Sequence, residues 1–253
     1  PHPLRTALHN EVHARPYERM QPPLAVSHLA FVAGPEVQAA DRRHLETLLS
    51  ELHLPLPAPE ANHLSIDLPG CRLRWERHTE FVSYTVWRPL RADEALDAAP
   101  AYRALPDGWL STVPGELLVA TNLLVLNSPE QNLRSLVDAW LDADSLVGAD
   151  IADGDLQIYS DFRLHPDGYG RWLVGVGNPS ITPRRLGRNV QRLLEIDTYR
   201  MMALLGLPVA RDTTRRLDEL ERQLAGLADT RAGSETTDEA RLLDSLTRLA
   251  REV

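Results

Sequence analysis

Apolar and polar positions alternate with two periods along this chain, and the switch between them divides it into elements. Leu24 to Ala33 is a nearly continuous apolar run closed by Gly34-Pro35, which predicts a buried strand. From Glu36 to Leu52 the period lengthens. Val37, Ala40, Leu45, Leu48, Leu49 and Leu52 make one stripe and predict a helix. The proline-rich stretch Leu54 to Glu60 reads as a connection. A short strand is expected over Leu64–Leu68. Cys71 to His78 alternates apolar and charged residues, and Phe81 to Arg88 reads as its antiparallel partner across a turn at Thr79-Glu80. Ala92 to Ala104 is a weak, alanine-rich helical stretch broken by Pro100.

Glu116 to Leu126 is apolar enough for a central strand buried on both faces. A helix is expected over Pro129–Leu141 with Ser128 as its N-cap. Leu146–Ile151, Leu156–Leu164 and Arg171–Val176 read as three strands joined by Asp-Gly and Pro-Asp-Gly turns. Pro183 to Leu205 is a long helix with Thr182 as N-cap, ended by Gly206-Leu-Pro208. Beyond it Leu217, Leu220, Leu224 and Leu227, then Leu242, Leu246, Leu249 and Val253, form two seams with coiled-coil spacing. The polar stretch Ala228 to Thr237 separates them as a loop, and Thr236 with Glu239 makes a capping-box pattern. A helical hairpin accounts for this pattern, and so does pairing between chains. Three consecutive late strands argue against an alternating doubly wound fold. The expected class is α+β: a mixed, largely antiparallel sheet with flanking helices, followed by a C-terminal helical, coiled-coil-like stalk. The expected division is residues 1–180, an interaction or ligand-sensing domain, and residues 181–253, the stalk or hairpin.

Charge narrows the partners. The 253 residues carry a net charge of −9, and all 27 basic side chains are arginine. An acidic chain does not suit a broad nucleic-acid surface, and without lysine there is no Schiff-base chemistry. One cysteine, Cys71, excludes an internal disulfide and any multi-cysteine zinc site. No apolar run reaches the ~18–20 residues needed to span a bilayer, so a soluble fragment is expected. The sequence holds no GxSxG elbow, Walker loop or His-Glu-x-x-His.

Candidate chemistry gathers at the N-terminus, where His2, Arg5, His9, Glu11, His13 and Arg15 fall within one short stretch ended by Pro16. On a helix His9 and His13 share a face and can hold one divalent metal. Two histidines are short of a full site, so the same side chains read first as pins that fix the segment by hydrogen bonds. Arg184, Arg185 and Arg188 crowd the first turns of the long helix, against the dipole rule. They suit an anion pocket at the helix start, or ion pairs with Glu11 or the Asp150, Asp153, Asp155 group. That acidic group itself reads chiefly as a turn. Cys71, on the apolar side of a strand pattern, reads as an inert buried thiol.

The stretch Leu-His-Asn-Glu-Val-His-Ala-Arg-Pro at Leu8–Pro16, with Thr182–Leu204, resembles the signature of a bacterial domain-of-unknown-function family of uncharacterised membrane-anchored proteins. The resemblance implies more helix and a membrane anchor beyond Val253. It also implies a place at the cytoplasmic face of the inner membrane, and a layout similar to CorA-type divalent-cation channels. The functional expectation is binding and assembly, related to cation sensing or transport, with a homo-oligomer formed through the C-terminal helices and no nucleic acid. The alternative is a metal-dependent hydrolase in which His9, Glu11 and His13 converge with the arginines. A third outcome is that both clusters form one structural network joining the N-terminal segment to the long helix.

Overall fold

The computed structural model of the chain describes residues 2, 3, 5, 16–91, 94, 100–127, 130–233, 243, 244 and 247. Its core is an 8-stranded sheet with spatial order β2-β3-β4-β1-β5-β8-β7-β6. The strands are β1 (Leu24–Val32), β2 (His63–Leu68), β3 (Cys71–Arg77), β4 (Phe81–Pro89), β5 (Glu116–Asn127), β6 (Val147–Ile151), β7 (Leu156–Ser160) and β8 (Gly170–Val176). All neighbours pair antiparallel except β5 and β8. The helices are α1 (Pro35–Glu51), α2 (Glu130–Trp140), α3 (Pro183–Leu204) and α4 (Gly206–Gly233).

Strand side chains alternate between faces, and this sheet uses both. One face carries Leu73, Trp75, Val82, Tyr84, Val86 and Leu124 against α1 (Leu45, Leu48, Leu49) and α2 (Leu133, Val137, Trp140). The other carries Leu24, Val26, Leu123, Val125, Trp172 and Val174 against Leu186, Val190, Leu193 and Leu194 of α3. Burying each of those four α3 side chains contributes roughly 1.5–3 kcal/mol before entropy is counted. Helix α1 is further tied down by polar links. The side-chain amide of Gln38 donates to the carbonyls of Ala33, His78 and Thr79. The Arg42 guanidinium donates to those of Pro57, Ala58, Pro59 and Ala61, which orders the proline-rich connection.

The α+β class and the largely antiparallel mixed sheet agree with the expectation from sequence, and most strand limits fall within a residue or two. The differences have local causes. β7 stops at Ser160 instead of reaching Leu164, because Phe162 takes a left-handed backbone (φ 53°) that no strand accommodates. Gly206-Leu-Pro208 does not end the helical region. Only Leu205 interrupts it, and Pro208 sits in the first turn of α4, where a missing N–H is tolerated. α4 also runs through Ala228–Gly233, the first half of the stretch expected as a loop. The contact pattern divides the chain into Pro1–Tyr199 and Arg200–Val253, and the apolar stripe of α3 belongs to the sheet's core. Most of Ala92–Ala104, the Ser128 cap, the Thr236–Glu239 box and the whole of the last leucine seam lie outside the described residues. No helix among the described residues is long and apolar enough to cross a membrane.

Candidate functional site

The face of the sheet under α3 changes character partway across. In its apolar part, Leu, Val and Trp side chains meet the α3 stripe. One row of the register is polar instead. Ser65, Arg74, Thr85, His28 and Thr121 lie side by side across β2, β3, β4, β1 and β5. The next row adds Glu76 opposite Ser83. Arg74, Glu76, Ser83, Thr85, His28 and Thr121 are all buried. Helix α3 changes in step: after Leu194 it presents Asp197 and Thr198, both buried, to the sheet.

These groups answer one another. Arg74 donates to Glu76 at 2.6 Å and to the Gln191 side chain at 2.9 Å, and Gln191 in turn donates to Glu195 at 2.6 Å. Thr121 donates to Asp197 at 2.9 Å. His28 lies 2.9 Å from both Thr85 Oγ1 and Thr198 Oγ1. Thr198 spends its own hydroxyl proton on the Leu194 carbonyl, 2.8 Å away. Nε2 of His28 therefore carries the hydrogen and donates to Thr198, and Nδ1 accepts from Thr85. Burial, and secondarily the positive charge of Arg74, pushes the His28 pKa down to about 4, so the ring is neutral near pH 7.

Where polar sheet and polar helix meet they do not fully close. A cleft of about 30 Å³, room for a water-sized group, lies between β3, β4 and α3. Its walls include Arg74, Glu76, Ser83, Phe81, Glu195 and Tyr199. The His78 ring stacks on Phe81 with centroids 3.8 Å apart, and the Tyr199 hydroxyl lies 3.3 Å from its Nδ1. Glu18 and Met20 from the N-terminal segment complete the rim.

That segment is fastened to α3 by the arginines singled out from sequence. Arg184 and Arg188, one turn apart, each stand 5.6 Å over the Tyr17 ring, and Arg184 also donates to its hydroxyl at 3.1 Å. The Glu18 carbonyl presses so closely on Gly187 that a Cβ there would lie 1.7 Å from it. Met20 N–H donates to the Pro183 carbonyl at 3.1 Å, and Glu18 pairs with Arg72 at 3.3 Å. Arg185 faces the other way. It bonds the Ala152 carbonyl and Asp153 and reaches Asp155 at 2.5 Å, which is the pairing with the acidic turn that the sequence allowed. Asp150 is exposed on β6. His2 and Arg5 are exposed and joined by a backbone turn of 3.0 Å, while His9, Glu11, His13 and Arg15 lie outside the described residues.

A family model described as "Protein of unknown function (DUF3422)" matches residues 1–253, signature stretches included. The chain belongs to the DUF3422 family. No curated protein matches it, and neither does any solved structure. In this DUF3422 chain the second signature stretch, Thr182–Leu204, is α3 with its N-cap. It supplies the Tyr17 clamp, the Gly187 contact and one wall of the cleft, and the Thr182 hydroxyl accepts from Arg185 N–H at 3.3 Å as a cap should.

Other polar clusters are accounted for within the fold. Asp41 on α1, fully buried, accepts from Trp75 Nε1 at 2.8 Å and Tyr84 hydroxyl at 2.6 Å. Burial raises its pKa against the pull of those two donors. Asp161 accepts from His165 at 2.8 Å and from the backbone N–H groups of Asp142 and Arg163. Burial would raise its pKa, and these bonds bring it below the usual value. Cys71 is free and buried, with its thiol pushed up to about 11 by burial, which suits an inert thiol. Among the described residues no three His, Cys, Asp or Glu side chains are arranged to hold a metal ion. The polar row and the Asp41 triad escaped the sequence reading. Each member is one polar residue in an otherwise ordinary strand or helix pattern, and only the register assembles them.

Proposed function

We propose that this DUF3422 chain acts by binding and assembly, not by covalent catalysis, with the cleft between β3, β4 and α3 as its binding site. The observation that carries the reading is the polar row. Burying an arginine, a glutamate, a histidine and several hydroxyls on a sheet face costs more than apolar packing would. Departures of this kind from local consistency concentrate at functional sites. The row sits where the cleft opens, beside aromatic walls, which suits one polar group of a ligand, or an ion of about water size, held by hydrogen bonds. In the wider setting that the family resemblance implies, the chain is the part of a membrane-anchored bacterial protein on the cytoplasmic face of the inner membrane. Its role there is cation sensing or transport related, in a layout like that of CorA-type channels, and it is homo-oligomeric through the C-terminal helices. His9 and His13 are then the proposed ligands of a divalent metal.

Thermal unfolding against divalent cations, inorganic anions and small polar organic molecules tests this. A ligand at about 100 times its Kd stabilises by roughly 2.7 kcal/mol, a rise of about 5–11 °C for a chain of this size. Ser83→Val, which replaces one of the cleft's hydroxyls with two methyl groups, should abolish the shift of a cleft ligand. It should leave a metal shift that depends on His9 and His13 unchanged. If no compound raises the Tm, or if Ser83→Val leaves every shift intact, the cleft is not the site.

A further inference from the structure

We propose that α4 pairs, parallel and in register, with α4 of a second copy of this chain. The inference deepens the assembly half of the function proposed above and is independent of what the cleft binds. Over residues 206–226 every side chain of α4 is exposed except Leu220, which is half-buried, and Leu217 and Leu224 each show 52% of their surface. A helix whose described side chains, residues 206–226, are exposed in this way draws little stability from propensity alone, so a leucine seam on it calls for a covering surface. Leu217, Leu220 and Leu224 take the a, d and a positions of a heptad. Arg215 pairs with Asp212 at 3.1 Å and Arg222 with Glu219 at 2.7 Å. All four occupy c and f positions, on the side away from the seam. The residues flanking the seam are Arg216 at g and Glu221 at e. In a parallel, in-register pair each g residue faces the e residue five positions later on the partner helix. Arg216 of each chain then meets Glu221 of the other, twice per dimer. An antiparallel pair brings e to e and g to g, setting Glu221 against Thr214 or another Glu221, and Arg216 against Gln223 or another Arg216. Charge complementarity therefore selects a second copy in parallel orientation.

Two measurements on the full 253-residue chain decide it. In a Cys71→Ser background, Leu220→Cys should form an intermolecular disulfide on mild oxidation, since identical d positions face each other, and Arg222→Cys at an f position should stay monomeric. In sedimentation equilibrium, Arg216→Glu or Glu221→Arg alone should raise the concentration for half-dimerisation about tenfold, and the double swap should restore it. A monomer at all concentrations, as when the last helix folds back over the seam, overturns the proposal. Equal cross-linking at positions 220 and 222, or a double swap no better than the single ones, overturns it too. The ligand shifts that test the cleft do not bear on either result.

Discussion

His28 and Gly187 show how much of this fold rests on single atoms. The His28 ring is neutral and fully bonded between Thr85 and Thr198. Its pKa falls from 6.5 in the unfolded chain to about 4 in the fold. Between those values the unfolded chain takes up a proton that the folded one does not. This contribution to stability is therefore complete above pH 6.5 and is lost as pH falls toward 4, for a total of roughly 3 kcal/mol. His28→Gln, which cannot titrate, should remove that part of the acid slope. Urea denaturation of both proteins at about pH 7 and about pH 4.5 measures it, and parallel slopes would refute the assignment. At Gly187 the obstacle is steric. A methyl group would meet the Glu18 carbonyl oxygen at 1.7 Å, a backbone atom that cannot turn aside as a side chain would. Gly187→Ala should cost about 2–4 kcal/mol and lift the N-terminal segment from α3. Faster proteolysis at Arg19 would report the lifting, and a variant as stable and as protease-resistant as wild type would contradict it.

Between elements, the decisive link on the α1 side is the Asp41 triad. One carboxylate holds the indole of β3 and the phenol of β4 and so fixes α1 over two strands at once. Asp41→Ala leaves two buried donors without an acceptor and should cost about 3 kcal/mol or more. Tyr84→Phe removes one bond with its donor and should cost nearer 1 kcal/mol. Thermal unfolding of the two variants checks the order, and equal losses would mean that the triad does not act through Asp41. Elements themselves were legible in the sequence because their signals are local: the alternation of Cys71–His78, the stripe of α1, the Thr182 cap. β7 was overextended because nothing in Phe162 or its neighbours announces a left-handed turn. The break between α3 and α4 was overstated because Pro208 is harmless within a first turn. The arginines at the start of α3 depart from the dipole rule, and in the fold Tyr17 and the acidic turn engage them. The cleft was illegible, since its groups come from β1, β3, β4 and α3 and meet only through register.

For the whole molecule, burial sets the limit of the cooperative unit. Among the described residues every buried side chain lies at or before Thr198, and the contact pattern divides the chain just after it. The two faces of the sheet, the polar row and the cleft are all complete within that part. Self-association, if it runs through α4, depends on the other. A chain truncated after Leu205 should therefore unfold in one cooperative transition, with a Tm within about 4 °C of the full protein measured at concentrations where both are monomeric. It should be monomeric throughout and should keep any ligand shift that Ser83→Val abolishes. Loss of cooperative unfolding on truncation would mean that α4 stabilises the sheet domain directly. Loss of the ligand shift with the fold intact would mean that the binding site needs residues beyond 205. A truncated chain that keeps both, while the full chain dimerises, would show that recognition and assembly are separate functions of the two units.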